Sequence, residues 1–236
     1  MPFHSQKNQD ELMETHIFKG YRRGFFVNIG AWDGVCFDNT LFFEEDRKWT
    51  GINIEPLPDR YEALVKNRPS CKNFNIAVSD KDGETEFVAI TGDTSMLSGI
   101  KENYDERHLQ RIARETSQYN TEARTITVPV RRLDTLFKEQ DVRRVHYMSI
   151  DAEGSEFNII RSIDFNFTYI DVIDFENNYP DKTMPILQYL ASKGYKQLPV
   201  TNTDDVFMIH KDSPFLPSVL LDRPKLPFAG LVSSLF

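Results

Sequence analysis

Short apolar runs that end in glycine or an acid, rather than long helical stripes, set the rhythm of this chain. Phe25, Phe26, Val27 and Ile29 predict a strand buried on both faces, closed by Gly30 and Gly34. Residues 38–46 read as a helix capped by Asp38 or Asn39, with Leu41 and Phe42 on its core side. Residues 50–56 form a second strand ending in Glu55 and Pro56. Pro58–Asn67 follows as a helix with Tyr61, Leu64 and Val65 at core spacing, and residues 74–78 as a third strand. This alternation predicts a parallel sheet. Residues 1–23 carry a weak helical pattern in Leu12, Met13, His16, Ile17 and Phe18, which predicts a helical lead-in packed on the main domain.

After Ser79 and Asp80 the rhythm changes. Gly83–Ile90 reads as an extra strand or hairpin, and residues 91–120 as a polar insertion with Gly92, Gly99 and a helix near 102–115. Excursions of this length serve as lids or substrate walls, or are simply solvated. The alternation then resumes. Strands are expected at 125–130, 145–151 and 170–176, and helices at 133–137, from 154 onward and at 184–193, the last stopping at Gly194. Residues 195–200 and 206–210 read as an antiparallel pair. No linker or repeat divides the chain, which predicts one domain over 24–211. Residues 212–236, with Pro224, Pro227, Phe228, Leu231 and Phe236, form an apolar tail expected to cover the domain or to contact another subunit.

Composition narrows the function. The 236 residues are 40% apolar and 12% aromatic, which fits a folded protein with a sizeable core. A net charge of -8 and the lack of any Lys/Arg run argue against nucleic acid as the main partner. No apolar run approaches the roughly 20 residues of a membrane span. The first residues lack the apolar core of a signal peptide. Cys36 and Cys71 have neither zinc spacing nor a disulfide framework, so a reduced, cytoplasmic compartment is expected.

The chemistry gathers at strand ends. Glu55, Asp151 and Glu176 each close a predicted strand, and Asp33 lies in the glycine turn after the first. In a parallel sheet these ends share one edge, where ligands bind at the strand-order reversal. Acids crowded there need cations, hydroxyl donors or a metal to face. The turn is neither Gly-x-Gly-x-x-Gly nor a P-loop. Glu55, about 20 residues beyond it, is placed to accept hydrogen bonds from ribose hydroxyls. His146 reads as packing or surface and His210 as lacking a visible partner. His108 is the one histidine to test as a base. Trp32 reads equally as a wall for cofactor or acceptor and as a core residue.

Several motifs then occur in order: Gly24 through Gly34, Asp38-Asn39-Thr40, Asn53-Ile54-Glu55-Pro56, Ala77-Val78-Ser79-Asp80 and Ile150 through Glu156, preceded by Ser5-Gln6 and Gln9-Asp10. Together they resemble the FkbM family of S-adenosylmethionine-dependent methyltransferases. The resemblance implies the class I methyltransferase fold, an α/β, Rossmann-like, seven-stranded and mostly parallel sheet with helices on both faces and the last strand antiparallel. It also implies that Gly30, Asp33 and Gly34 pass the methionine part of the cofactor, with Asn28 and Asn39 counted among the cofactor-binding residues. Glu55 would hold the ribose, Ala77 and Val78 would lie beside the adenine, and Asp151 and Glu153 would sit at the reacting edge. Asn28 stands where the family has Asp. It keeps an acceptor oxygen but brings no charge, which implies weaker cofactor binding or a non-catalytic relative.

The implied reaction is O-methylation of a hydroxyl, most often of a sugar in a glycan or glycoconjugate. Two mechanisms fit. Asp151 or Glu153 takes the hydroxyl proton, with Glu176 beside them, or Asp151, Glu176 and Asn177 hold a Mg²⁺ or Mn²⁺ ion that binds the oxygen. A homo-oligomer, or a glycosyltransferase domain next in a longer chain, would be natural partners. The competing expectations are a nucleotide- or NAD-dependent sugar-modifying enzyme and a binding module without turnover.

Overall fold

The leading segment folds as a short helix, α1 (Gln9–Leu12), that continues as a π-helical stretch over Met13–Phe18. The computed structural model describes residues 2–177, 180–200 and 205–216. The expected joint at 201–204 and most of the expected apolar tail, from 217 onward, lie outside the described residues.

The apolar run after Gly24 forms β1 (Phe25–Ile29), followed by α2 (Leu41–Arg47), β2 (Thr50–Ile54), α3 (Pro58–Asn67) and β3 (Lys72–Phe74). Next come β4 (Ala77–Val78), β5 (Gly83–Ile90), β6 (Gly99–Ile100), α4 (Glu106–Tyr119) and β7 (Ala123–Arg131). The described chain ends with α5 (Leu133–Glu139), β8 (Arg144–Ile150), α6 (Glu156–Arg161), β9 (Tyr169–Glu176), α7 (Pro180–Ser192), β10 (Tyr195–Gln197) and β11 (Asp205–His210).

Seven strands make one sheet in the order β10-β11-β9-β8-β1-β2-β3. All its pairs are parallel except those of β11, which runs antiparallel to β9 and to β10. The fold is therefore mixed α/β with a mostly parallel sheet, antiparallel at one end as expected. Both faces are covered. Val27, Ile29, Ile52 and Ile54 pack toward Leu136, Phe137, Ile160 and Leu190 from α5, α6 and α7. On the other face, Phe26, Tyr147, Val172 and Phe207 meet Met13, Ile17 and Phe18 of the leading segment and Phe42 and Phe43 of α2. Each such fully buried side chain contributes roughly 1.5–3 kcal/mol.

Several expectations need correction. Residues 74–78 are not one strand. Phe74 ends β3, while β4 leaves the main sheet and pairs in parallel with Val130 and Arg131 of β7. Asn75 makes the break, because its Nδ2 donates to the carbonyls of Glu55 at 2.9 Å and Pro56 at 3.0 Å. A second sheet, β4-β7-β5-β6, thus stands beside the first, and it takes in the strand expected at 125–130. Its spine is the antiparallel β5–β7 ribbon, in register from Gly83 opposite Val130 to Ile90 opposite Ala123. Val65 is 40% exposed, so only Leu64 of the three expected α3 positions is buried. Helix α2 begins at Leu41 because Asp38 holds the Thr40 and Leu41 amides at 2.7 and 2.8 Å. Similarly, α4 begins at Glu106, where Asp105 caps His108 N at 2.9 Å. Among the described residues no helix is long and apolar enough to cross a membrane.

Candidate functional site

At the carboxyl ends of β1, β2 and β8 the sheet opens into an open-mouthed cavity whose lining draws on both sheets. The position follows from topology. The chain steps from β1 outward to β2 and β3, then returns to place β8 on the other side of β1, so the strand ends part there.

Gly30 holds the two halves together. Its φ is +83°, and a Cβ on it would stand 1.8 Å from the Asp151 carbonyl oxygen. No side chain fits where the β1 turn crosses the β8 turn. The Asp151 amide donates to Ile29 O at 3.0 Å at the same crossing.

Glu55 is buried and lines the cavity. Its Oε2 accepts from Trp32 N at 2.9 Å and its Oε1 from Leu57 N at 2.7 Å, so one carboxyl ties the β1 turn to the start of α3. Burial pushes this carboxyl up to about 8, against the pull of those two amides. A carboxyl raised on folding binds its proton more tightly in the folded state, so its contribution is present below the unfolded value and lost as pH rises through the folded one. Between pH 5 and 8 the unliganded protein is therefore expected to lose stability relative to Glu55→Gln. The slope is up to about 1.4 kcal/mol per pH unit. Urea unfolding of both proteins across that range checks it, and parallel profiles would refute it.

The apolar wall comes from both sheets. Ala77 and Val78 line the cavity, and so do Phe87, Gly99 and Ile100 of the second sheet. Those three, with Ser95 and Met96 between them, were not anticipated. The only sequence trace of them is the alternation in Gly83–Ile90 that turns Phe87 inward. Trp32 also lines the cavity, with Arg60 over its ring at 4.4 Å and its Nε1 donating to Ser95 Oγ at 3.1 Å. The insertion is tied down elsewhere as well. Asn103 donates to Ser155 Oγ at 2.7 Å, Arg107 meets Asp181 at 2.9 Å, and Lys182 meets Asp105 at 3.1 Å.

Asp33 and Gly34 are not among the lining residues. Asp33 Oδ1 accepts from the Val35 and Cys36 amides, closing the turn on itself. Gly34, at φ +75°, leaves room for Leu64 and Arg68, and its carbonyl accepts from Arg68 at 3.0 Å. Arg68 is fully buried and paired with Asp38 and Glu44. Asn28, Asp38 and Asn39 line the cavity on this side.

At the far edge, Asp151, Glu153 and Glu176 each present a carboxylate oxygen within 4.8 Å of the others. Asp151 lines the cavity and keeps solvent contact, while protein crowds its other sides. That crowding, with Asp205 and Glu156 nearby, raises its carboxyl. Glu153 is buried at φ +47°, and its Oε2 has no hydrogen-bond partner. His108 Nδ1 and an Arg111 guanidinium nitrogen each lie 3.7 Å from it, too far to bond. Burial and the charges of Glu176 and Asp151 hold Glu153 well above the usual carboxylate range. Asn177 stands next to Glu176, and its Oδ1 accepts from the Thr183 hydroxyl.

The histidines sort differently from one another. His108 is 2% exposed, stacked on Tyr104 and close to Leu97 O, and it does not line the cavity. His146 packs at the opposite edge, its Nδ1 accepting from Phe25 N at 3.0 Å. His210 does have a partner, the Tyr169 hydroxyl at 3.2 Å.

A family model described as the methyltransferase FkbM domain matches residues 28–196, from the middle of β1 into β10. Among curated proteins none matches the chain. The match spans the cavity, the acidic edge and the second sheet alike, and the chain belongs to the FkbM methyltransferase family.

Proposed function

We propose that this protein is an S-adenosylmethionine-dependent O-methyltransferase with a class I, Rossmann-like core, acting on a hydroxyl of a sugar in a glycan or glycoconjugate. The observation that carries the reading is the cavity itself, with a buried Glu55 on one side and three clustered carboxylates on the other. S-adenosylmethionine supplies an electrophilic methyl group on a sulfonium. Glu55 accepts hydrogen bonds from the ribose hydroxyls. Ala77, Val78, Phe87 and Ile100 enclose the adenine. Gly30 lets the backbone approach the methionine part, with Asn28 and Asn39 beside it, while Asp33 and Gly34 shape that turn from behind. Asp151, Glu153 and Glu176 supply the negative potential that suits a cationic donor.

The acceptor hydroxyl enters at this acidic edge, and Asp151 or Glu153 takes its proton. Most of the acceleration comes from holding oxygen and methyl in line, and proton removal adds roughly 10²–10⁴. A sugar suits the edge because carboxylates accept from hydroxyl donors.

A second reading keeps the same reaction and adds a divalent cation. Glu153 Oε2, which accepts no hydrogen bond and lies beside Asp151 and Glu176, favours it. Those three acids would hold the ion, with the Asn177 oxygen next to them, and all-oxygen ligands suit Mg²⁺ or Mn²⁺. The ion would act as a Lewis acid on the acceptor oxygen. Titration with Mn²⁺ alone tests binding. No Mn²⁺ uptake, together with turnover unchanged in excess EDTA, would remove this reading.

The main test is calorimetric titration with S-adenosylmethionine and with NAD, followed by methyl-transfer assays on a glycan panel. Binding of the first and not the second is expected. No S-adenosylmethionine binding at millimolar concentration would sink the proposal, and binding without transfer to any glycan would leave a binding module.

A further inference from the structure

The last acid of the motif from Ile150 to Glu156 has no part in the reaction described so far, yet it is only 8% exposed. Glu156 Oε1 accepts from Gly154 N at 3.0 Å. Burial raises this carboxyl, and the amides of Glu156 itself, Gly154 and Ala152 beside it offset part of the rise. The loop from Asp151 onward thus closes around an acid of its own.

A loop of this shape needs holding. Glu153 at φ +47° and Gly154 at φ +100° are left-handed residues in succession. For a residue with a Cβ, such a conformation persists only where its surroundings over-determine it. The two halves of the loop are held by different devices. Asp151 N is tied to Ile29 O at 3.0 Å, at the Gly30 crossing. Beyond it, Ser155 N donates to Ala152 O at 3.3 Å. The insertion reaches in as well, where Asn103 Nδ2 donates to Ser155 Oγ at 2.7 Å and Asn103 Oδ1 accepts from Asn158 at 3.0 Å. None of these bonds holds the Gly154 amide. Glu156 does, and Gly154 follows directly on Glu153, whose side chain is turned inward beside His108 and Arg111.

We infer that Glu156 is a positioning residue for methyl transfer. By gripping the backbone just behind Glu153, it fixes that carboxyl group beside Asp151 at the reacting edge. The cofactor side of the cavity is left to the Gly30 crossing. The effect on turnover rests on the O-methyltransferase reading, whereas the grip rests on the geometry of the loop alone.

The full-length protein is compared with Glu156→Ala, which removes the grip, and with Glu156→Gln, which keeps one acceptor oxygen for Gly154 N. Single-turnover methyl transfer from radiolabelled S-adenosylmethionine to the glycan panel is expected to fall about tenfold or more in Glu156→Ala. Its affinity for S-adenosylhomocysteine should stay within about threefold of wild type. Glu156→Gln should transfer within about threefold of wild type. Amide exchange across residues 152–156, followed by mass spectrometry, should quicken about tenfold or more in Glu156→Ala and not in Glu156→Gln. Glu156→Asp, one methylene shorter, gives the same comparison if Glu156→Ala does not fold. The inference is overturned if exchange is unchanged without the Glu156 carboxyl, if transfer matches the wild type, or if affinity and transfer fall together. A wild type that methylates no glycan would overturn the O-methyltransferase reading instead, and the exchange comparison would still decide the grip.

Discussion

Replacing Gly30 with alanine is expected to destabilise the protein by about 3 kcal/mol and to abolish ligand binding in the cavity. The new Cβ would sit 1.8 Å from the Asp151 carbonyl oxygen. The obstacle is backbone, which cannot rotate away as a side-chain tip could. The φ of +83° adds strain for any residue with a Cβ. Relief requires the β1 and β8 turns to separate at the point where Asp151 N meets Ile29 O. Urea unfolding and a cofactor titration measure both effects. Stability within 0.5 kcal/mol of wild type, a margin of roughly the size seen for neutral surface changes, would show that the crossing is looser than its geometry implies.

Asp151→Asn carries the second large effect, an expected fall in kcat of about 10²–10⁴ with cofactor affinity changed by about threefold or less. Asp151 is the member of the acidic trio that lines the cavity, so under the proposed reaction it is the one expected to meet the acceptor oxygen. Glu153 is enclosed behind it, and its raised carboxyl makes it the natural resting place for a proton passed inward. Glu153→Gln is then expected to cost less than Asp151→Asn. Single-turnover rates and separately measured affinities distinguish chemistry from binding. Equal loss of both in Asp151→Asn would reassign that residue to holding the cofactor.

The edge that carries these residues was legible because each strand announces itself twice, by an apolar run and by the acid that ends it. Val145 to Asp151 and Ile170 to Glu176 needed only local information. The second sheet was not legible, because its pairings span the insertion. Gly83 finds Val130, and Ala77 finds the same residue from the other side. The run Phe74-Asn75-Ile76-Ala77-Val78 reads as one strand until the Asn75 side chain is seen capping the carbonyls of Glu55 and Pro56. Asp38 was legible at the start of α2, where it holds the Thr40 and Leu41 amides, but its bonds to Asn28 and to Arg68, just past the end of α3, join residues that no local pattern relates. His210 failed for the same reason, since its partner Tyr169 lies at the start of a neighbouring strand.

The break at Asn75 has a thermodynamic consequence. It leaves a seam between two sheets, one side ending at Phe74 and the other starting at Ala77, and the cavity lies along that seam. A molecule touching Glu55 on one bank and Phe87 and Ile100 on the other acts as mortar. Filling the cavity would tie the two sheets to one ligand, and amide exchange in β5 and β7 is expected to slow along with that in β1 and β2. The second sheet would then report on occupancy from strands that themselves lie partly outside the binding site.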